Sequence, residues 1–434
     1  MEYVPAIAAL ALVAFAIVSR WSSRSAVTGT MLFTAFGLAV GPQGLDLIDF
    51  TGPLGRSGLV ALVLTGTLVI VLFTDASAIN SSNWSDDIIP ARLLGIGLPI
   101  SIGLGWLLAA VLFGTLEIWE AAVLGTMLAP TDAALGKAVV SNERVPQRIR
   151  QALNIESGLN DGISLPVFLV FLETALISEE SLAVSDIFVE LAKQVGIALA
   201  IGATVGWIGA RAIAWGRSSG AAVGYWLEIG LVALAVSAYA IATPLGGSGF
   251  IAAWVAGFVF GRGFTSSSDD SLPEFAEALG DLLTMASFFV FGIFLGPVLA
   301  DLSWQIVVYA VLSLAAVRMI AVAISLVGAK LRVQSILYMG WFGPRGLATM
   351  ILTIEVIDEG VLQGSSTIAD AALFTVALSV LLHGITAWWG SNAYADDVEQ
   401  HPRRGDLAEG HAPTVTVRVP LRARHHPSGR DGRR

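Results

Sequence analysis

Glu156, Ser157, Asn160 and Asp161 fall within the short stretch "NIESGLNDG", Asn154 to Gly162, inside an otherwise apolar run. On a helix Ser157 stands four residues from Asp161 and three from Asn160, so the three project toward one face, with Glu156 and Asn160 as a neighbouring stripe. That face offers a carboxylate, a hydroxyl and an amide oxygen. A second stretch, "LAPTDAALG" (Leu128 to Gly136), holds Thr131 and Asp132 beside Pro130. Proline removes a backbone N–H and blocks a carbonyl four residues earlier, so this helix breaks and frees backbone oxygens near Thr131. Oxygen ligands suit a hard cation, and the site has neither imidazole nor thiolate for a transition metal. One or two carboxylates suit a monovalent ion better than a divalent one.

Asp161 can also take up a proton, and a buried carboxylate that holds either a proton or a cation can exchange one for the other. Asn160 cannot titrate. If Glu156 stays ionised against a fixed positive charge, only Asp161 exchanges its load, and one proton per monovalent cation moves no net charge. Arg318 in "LAAVRMIAVA" is the expected partner of Glu156, because an unpaired buried guanidinium is very costly. Arg345 lies in a second interrupted stretch, "GWFGPRGLA", where it can face helix ends or Asp132; the competing reading is a side chain that snorkels to the surface. Asp132 is read as holding a helix N-terminus beside its break rather than as touching the ion. Asp75 is expected to cap a helix or line an entrance, His383 to be a satisfied core histidine, and Glu228 to sit at the inner end of its span.

These residues need a frame that holds charge inside hydrocarbon. The chain has 434 residues, 55% hydrophobic and only 13% charged, with a mean hydropathy of +0.75. Those values exclude a soluble globular class. Apolar runs long enough to cross a bilayer at ~20 residues each repeat from Tyr3 to Gly390. The expected fold is an all-α polytopic membrane protein of about thirteen spans. The first run lacks a basic leader and a cleavage site, so it reads as a retained span. With no cysteine there is no disulfide framework or thiolate site.

Arg20, Arg24, Arg92, Lys137, Arg144, Arg211, Arg262 and Lys330 all fall on one set of alternate connections, whereas the other set holds only Arg56 and Lys193 as cations. By the positive-inside rule the N-terminus is outside and the C-terminus cytoplasmic. The proline-centred breaks lie in the fifth and twelfth spans. An offset of seven spans makes residues 1–178 and 223–390 inverted repeats, with two crossed, broken helices at a shared site. Residues 1–390 then form the membrane domain. Residues 391–434 read as a disordered cytoplasmic tail, whose His425 and His426 are taken as solvated.

The string "PTDAALGKAVVSNERVPQRIRQALNIESGLNDG", followed by "AVRMI" and "GPRGLA", resembles the monovalent cation:proton antiporters, in the sodium/proton exchanger branch with an Asn-Asp pair. The resemblance covers the membrane region and is strongest from Pro130 to Gly162. It implies a homodimeric antiporter of the cell membrane with interleaved dimerisation and core subdomains and alternating access. Carried over by motif, Asp161 is the cation and proton carrier, Asn160 stands beside it, and Thr131 and Ser157 help to coordinate Na+. Glu156 pairs with Arg318. The family commonly has "TDP" at the fifth-helix break, whereas here Ala133 follows Asp132 and Pro130 precedes Thr131. No resident cofactor, nucleic acid or enzymatic activity is implied. The expected function is electroneutral exchange of Na+ for a proton. The alternatives are a potassium/proton or electrogenic antiporter, a cation channel, and an intramembrane protease using Asp132 and Asp161. A channel lacks the repeated filter loop it would need, and a protease leaves Arg318 and Arg345 unexplained.

Overall fold

The computed structural model describes residues 4–22, 25–48, 58–78, 88–180, 184–222, 224–263, 274–359 and 362–400, and the regular structure among them is helical. Backbone in hydrocarbon finds no water, so a spanning segment must satisfy its own N–H and C=O groups, which a helix does. The chain begins with α1 (Val4–Ser22), α2 (Gly29–Val40) and α3 (Gly58–Ala78). The short α4 (Ile88–Arg92) runs through a π-helical segment, Leu93–Gly97, into α5 (Leu98–Leu112). There follow α6 (Ile118–Met127), α7 (Ala133–Val140), α8 (Gln147–Glu180), α9 (Val184–Ser218), α10 (Gly224–Ala242), α11 (Gly249–Gly263) and α12 (Glu274–Ala300). Then α13 (Trp304–Leu312) passes through a second π segment, Ser313–Val317, into α14 (Arg318–Ser325). The chain closes with α15 (Val333–Trp341), α16 (Leu347–Glu359) and α17 (Ser365–Gln400).

Among the described residues, eight helices or continuous helical runs are long and apolar enough to cross a membrane, and shorter apolar helices accompany them. Large apolar side chains such as Leu10, Val111, Trp215 and Trp304 stand exposed. A belt of this kind needs lipid rather than water around it. The chain is a multi-pass membrane protein.

The helices pack as two groups. One is built from α2, α3 and α9 to α12, and the other from α4 to α8 with α13 to α17. Lipid supplies no hydrophobic drive between helices, so close packing holds them and small residues sit at the seams. Gly257 and Gly261 of α11 lie so close to the Phe73 and Ser77 carbonyls of α3 that a Cβ at either would strike them. Both π segments and both helix breaks fall in the second group.

Polar side chains fasten the ends. Thr28 accepts from Met31 N at 3.3 Å to cap α2, and Ser303 accepts from Ile306 N at 3.4 Å to cap α13. Glu120 is buried, yet its carboxylate accepts from Glu117 N at 2.9 Å and from Gly364 N at 2.7 Å, tying the start of α6 to the turn before α17.

The sequence placed the end of the membrane domain at Gly390, but α17 continues to Gln400. Its last turns are held rather than free. Tyr394 Oη bonds Ser335 Oγ at 2.7 Å, Ser391 Oγ bonds Tyr338 Oη at 2.9 Å, and the Tyr338 and Tyr394 rings stack. On the outside of the same helix Asp396 and Glu399 take Arg144 from the loop before α8. Its hydrogen bonds to Glu399 and then to Asp396 hold that guanidinium above its ordinary pKa. Residues 401–434, with His425 and His426, lie outside the described residues, as do Arg24 and Arg56.

Candidate functional site

The site begins where two helices stop. Between α6 and α7 the chain leaves helical geometry at Leu128 to Asp132, and between α15 and α16 it does so at Phe342 to Arg345 and Gly346. Pro130 and Pro344 cannot donate into a helical ladder, and each break therefore leaves carbonyls without an intrahelical partner. The two breaks lie against each other and exchange partners. Asp132 N donates to Pro344 O at 2.8 Å. Arg345 Nη1 donates to Pro130 O at 2.9 Å and also to Ala129 O, at the C-terminal end of α6. A cation at a helix C-terminus is stabilising, as is an anion at an N-terminus.

Asp132 supplies the anion twice. Its Oδ1 accepts from Leu135 N at 3.1 Å, in the first turn of α7, and its Oδ2 accepts from Leu347 N at 2.6 Å, at the start of α16. Gly346 is needed for this approach, since a Cβ there would collide with Asp132 Oδ2. Arg345 is buried completely and does not snorkel; its backbone N–H donates to Ser379 Oγ at 2.7 Å. Thr349 closes the remaining gap by donating to Met127 O at 2.8 Å. His383 is buried with Nε2 2.9 Å from the Trp341 carbonyl and Nδ1 3.1 Å from Ser379 Oγ, so the end of α15 is also held.

Helix α8 passes beside the first break and turns Ser157, Asn160 and Asp161 to it. Ser157 Oγ donates to Thr131 O at 2.7 Å, and Asn160 Nδ2 donates to Thr131 Oγ1 at 2.7 Å. Asn160 Oδ1 is buried without a hydrogen-bond partner. Asp161 lines a cavity with Thr131, Asp132, Asp75, Leu68 and Val71. Ser157 lines a neighbouring cavity that shares Thr131 and Asp132. Trp254 of α11 fixes the register by donating to Gly158 O at 3.2 Å and packing against Gly162, where no side chain would fit. The cavities are lined by carboxylates and hydroxyls, with Asn160 bonded to Thr131 beside them, and oxygen groups of this kind suit a hard cation.

On the neighbouring stripe of α8, Glu156 meets Arg318 at the start of α14. Nη1 donates to Oε1 at 2.5 Å and Nη2 to Oε2 at 2.8 Å, with side-chain exposures of 2% and 3%. The guanidinium Nε lies against Gly343 of the second break. The fork geometry fits a carboxylate in both bonds, which a lysine could not reproduce.

The sequence places Asp75 where it can line an entrance and carries no signal that brings it to Asp161. The structure puts both carboxylates on one cavity wall because α3 packs on α8. The ion pair between Lys137 of α7 and Asp281 of α12 likewise has no signal in the sequence. Glu228, near the start of α10, accepts from Phe275 N at 3.2 Å and so ties α10 to the first turn of α12.

The family model described as "Sodium/hydrogen exchanger, transmembrane" matches residues 8–389. A K(+)/H(+) antiporter NhaP from Alkalimonas amylolytica is 26% identical over 344 residues, covering 77% of this chain and 57% of that protein. A Na(+)/H(+) antiporter ApNhaP from Aphanothece halophytica is 24% identical over 371 residues, covering 82% of this chain and 68% of that protein. The chain spans about three fifths of the length of the first of these relatives. Among solved structures, the sodium proton antiporter MjNhaP1 from Methanocaldococcus jannaschii superposes with a TM-score of 0.72 at 20% identity, covering 93% of this chain and 100% of that one.

Proposed function

The chain belongs to the sodium/hydrogen exchanger family, and on that premise we propose that it carries out electroneutral exchange of a monovalent cation for a proton at Asp161. One observation carries this reading: of Asp132, Glu156 and Asp161, the first two already have fixed partners, while Asp161 faces the cavity, which Asp75 also lines. Asp132 holds two helix N-termini and Glu156 is held by Arg318. A carboxylate that alternates between a proton and a cation moves one charge each way per cycle.

Thr131, Ser157 and Asn160 complete the site in this reading. The Ser157 hydroxyl gives its proton to Thr131 O, which leaves its oxygen lone pairs for a cation, and Asn160 Oδ1 is a further oxygen without a partner. Arg345 and Asp132 neutralise the helix ends at the two breaks, so the cation meets a prearranged set of oxygens. The cation is substrate, and no resident cofactor takes part. Na+ is the principal substrate proposed. K+ is the second, because the relatives carry both names.

The paired π segments and paired breaks support inverted repeats over residues 1–178 and 223–390. Elements matched by that repeat, α2 and α3 with α11 and α12, fall in one packing group, and α4 to α8 with α13 to α17 fall in the other. We assign the first group, with α9 and α10, to a dimerisation subdomain and the second to a core that moves past it. The family resemblance supports a homodimer in the cell membrane, and the charge bias of the connections supports an outside N-terminus and a cytoplasmic C-terminus.

The test is purified protein in liposomes, with proton movement followed on addition of Na+, K+ or Li+ while the membrane potential is clamped or free. Exchange that ignores the clamp, and that Asp161→Asn abolishes, is the expected result. Exchange retained in Asp161→Asn, or ion conductance above carrier rates, would overturn the reading.

A further inference from the structure

Lys137 and Asp281 form an ion pair across the seam between the two helix groups. Lys137 lies on α7, one turn beyond the break, in the group that carries Asp161; Asp281 lies on α12, in the group that carries α3. The two helices share little other packing. The pair stands at the end of the molecule where α3 delivers Asp75 to the cavity, and Lys137, Glu277 and Asp281 are all within electrostatic reach of Asp75. By the charge bias this end is cytoplasmic. Both partners are part-exposed, at 44% and 30%.

We propose that Lys137 and Asp281 are a latch over the cytoplasmic mouth of the cavity, made when that mouth is closed and broken when the two groups separate to open it. The proposal rests on the alternating-access reading and adds a residue pair that sets the balance between the two states without holding the cation. Its strength suits the task. A part-exposed ion pair biases an equilibrium by about 1.5- to 5-fold, enough to favour one state and too little to stop the cycle. The exposed pairs of Arg144 with Asp396 and Glu399 make a contrast, because they join elements of one group and need not break.

The chain has no cysteine, so single thiols can be placed at will. Val71→Cys lines the cavity beneath the latch, and its rate of labelling by a membrane-impermeant maleimide from the cytoplasmic side reports opening. Lys137→Ala and Asp281→Ala, each in the Val71→Cys background, are expected to label about 2- to 5-fold faster. The charge swap Lys137→Asp with Asp281→Lys is expected to return the rate toward that of Val71→Cys alone. Lys137→Cys with Asp281→Cys, bridged by a short bis-methanethiosulfonate reagent, should stop exchange until a reductant frees it. The same bridge at Arg144→Cys with Asp396→Cys should leave exchange running. Unchanged labelling in both alanine variants, or full exchange by the bridged Lys137→Cys with Asp281→Cys protein, would overturn the latch. Labelling needs no transport, and exchange by the unmodified protein is measured separately, so failure of the latch is distinguishable from failure of the antiport reading.

Discussion

Glu156 and Arg318 are 162 residues apart in the chain and meet through two parallel hydrogen bonds of 2.5 and 2.8 Å, with almost no solvent on either side chain. Such a pair contributes little to stability against an apolar alternative, yet removing one partner strands the other charge in low dielectric. Glu156→Gln is therefore expected to destabilise the protein by about 3–5 kcal/mol. Glu156→Leu with Arg318→Met should recover much of that loss. Thermal unfolding of the detergent-solubilised variants measures both, and a single variant as stable as the unmodified protein would show that the pair is not the buried contact described.

Asp132 accepts from the first turns of both α7 and α16, so its removal should loosen two helices at once. At about 1 kcal/mol per lost cap, Asp132→Ala is expected to cost about 2 kcal/mol. Asp132→Asn should cost roughly half as much, because one amide oxygen can replace one of the two acceptors. The measurement is again thermal unfolding, paired with the cation KM in exchange. A raised KM with unchanged stability would move Asp132 from the helix ends to the cation itself.

Much of the frame was legible in the sequence, and the reasons are local. The hydropathy of the runs demands helices, Pro130 and Pro344 interrupt two of them, and few charges stand deep in apolar sequence, so Arg318 had few possible partners. The positions that escaped depend on which helices pack together. Nothing near Asp75 or Asp161 in the chain says that α3 lies on α8, and Lys137 and Asp281 are 144 residues apart. The end of α17 escaped for another reason. Its polar composition reads as solvent-exposed, but Ser391 and Tyr394 turn inward to hydroxyl partners on α15, and the acids outside are held by Arg144.

Gly346 and Asp132 act on the same bond. A methyl group at Gly346 strikes Asp132 Oδ2, the atom that accepts from Leu347 N. Gly346→Ala should cost about 1–3 kcal/mol, the range for overpacking a tight site. Combined with Asp132→Ala, whose shortened side chain no longer meets that methyl, the loss should be clearly smaller than the two single losses added. Additive losses in the double-mutant cycle would mean that the glycine serves the backbone and not the carboxylate.

In the proposed cycle Asn160 sets the charge moved. Its Nδ2 donates to Thr131 Oγ1, and its Oδ1 is buried without a partner. Because the amide cannot titrate, the proposed exchange uses Asp161 alone, and proton and monovalent cation cancel. Asn160→Asp adds a second acid that can release a proton when a cation enters. The Thr131 hydroxyl can rotate to donate to the new carboxylate, so the local contact survives with its direction reversed. Two protons then leave for one cation, and each cycle carries net charge. The expected outcome in liposomes is exchange that responds to membrane potential, against potential-insensitive exchange by the unmodified protein. An Asn160→Asp variant that still exchanges but ignores the potential would show that the proton count is set elsewhere, with Asp75, on the same cavity wall as Asp161, as the next residue to vary.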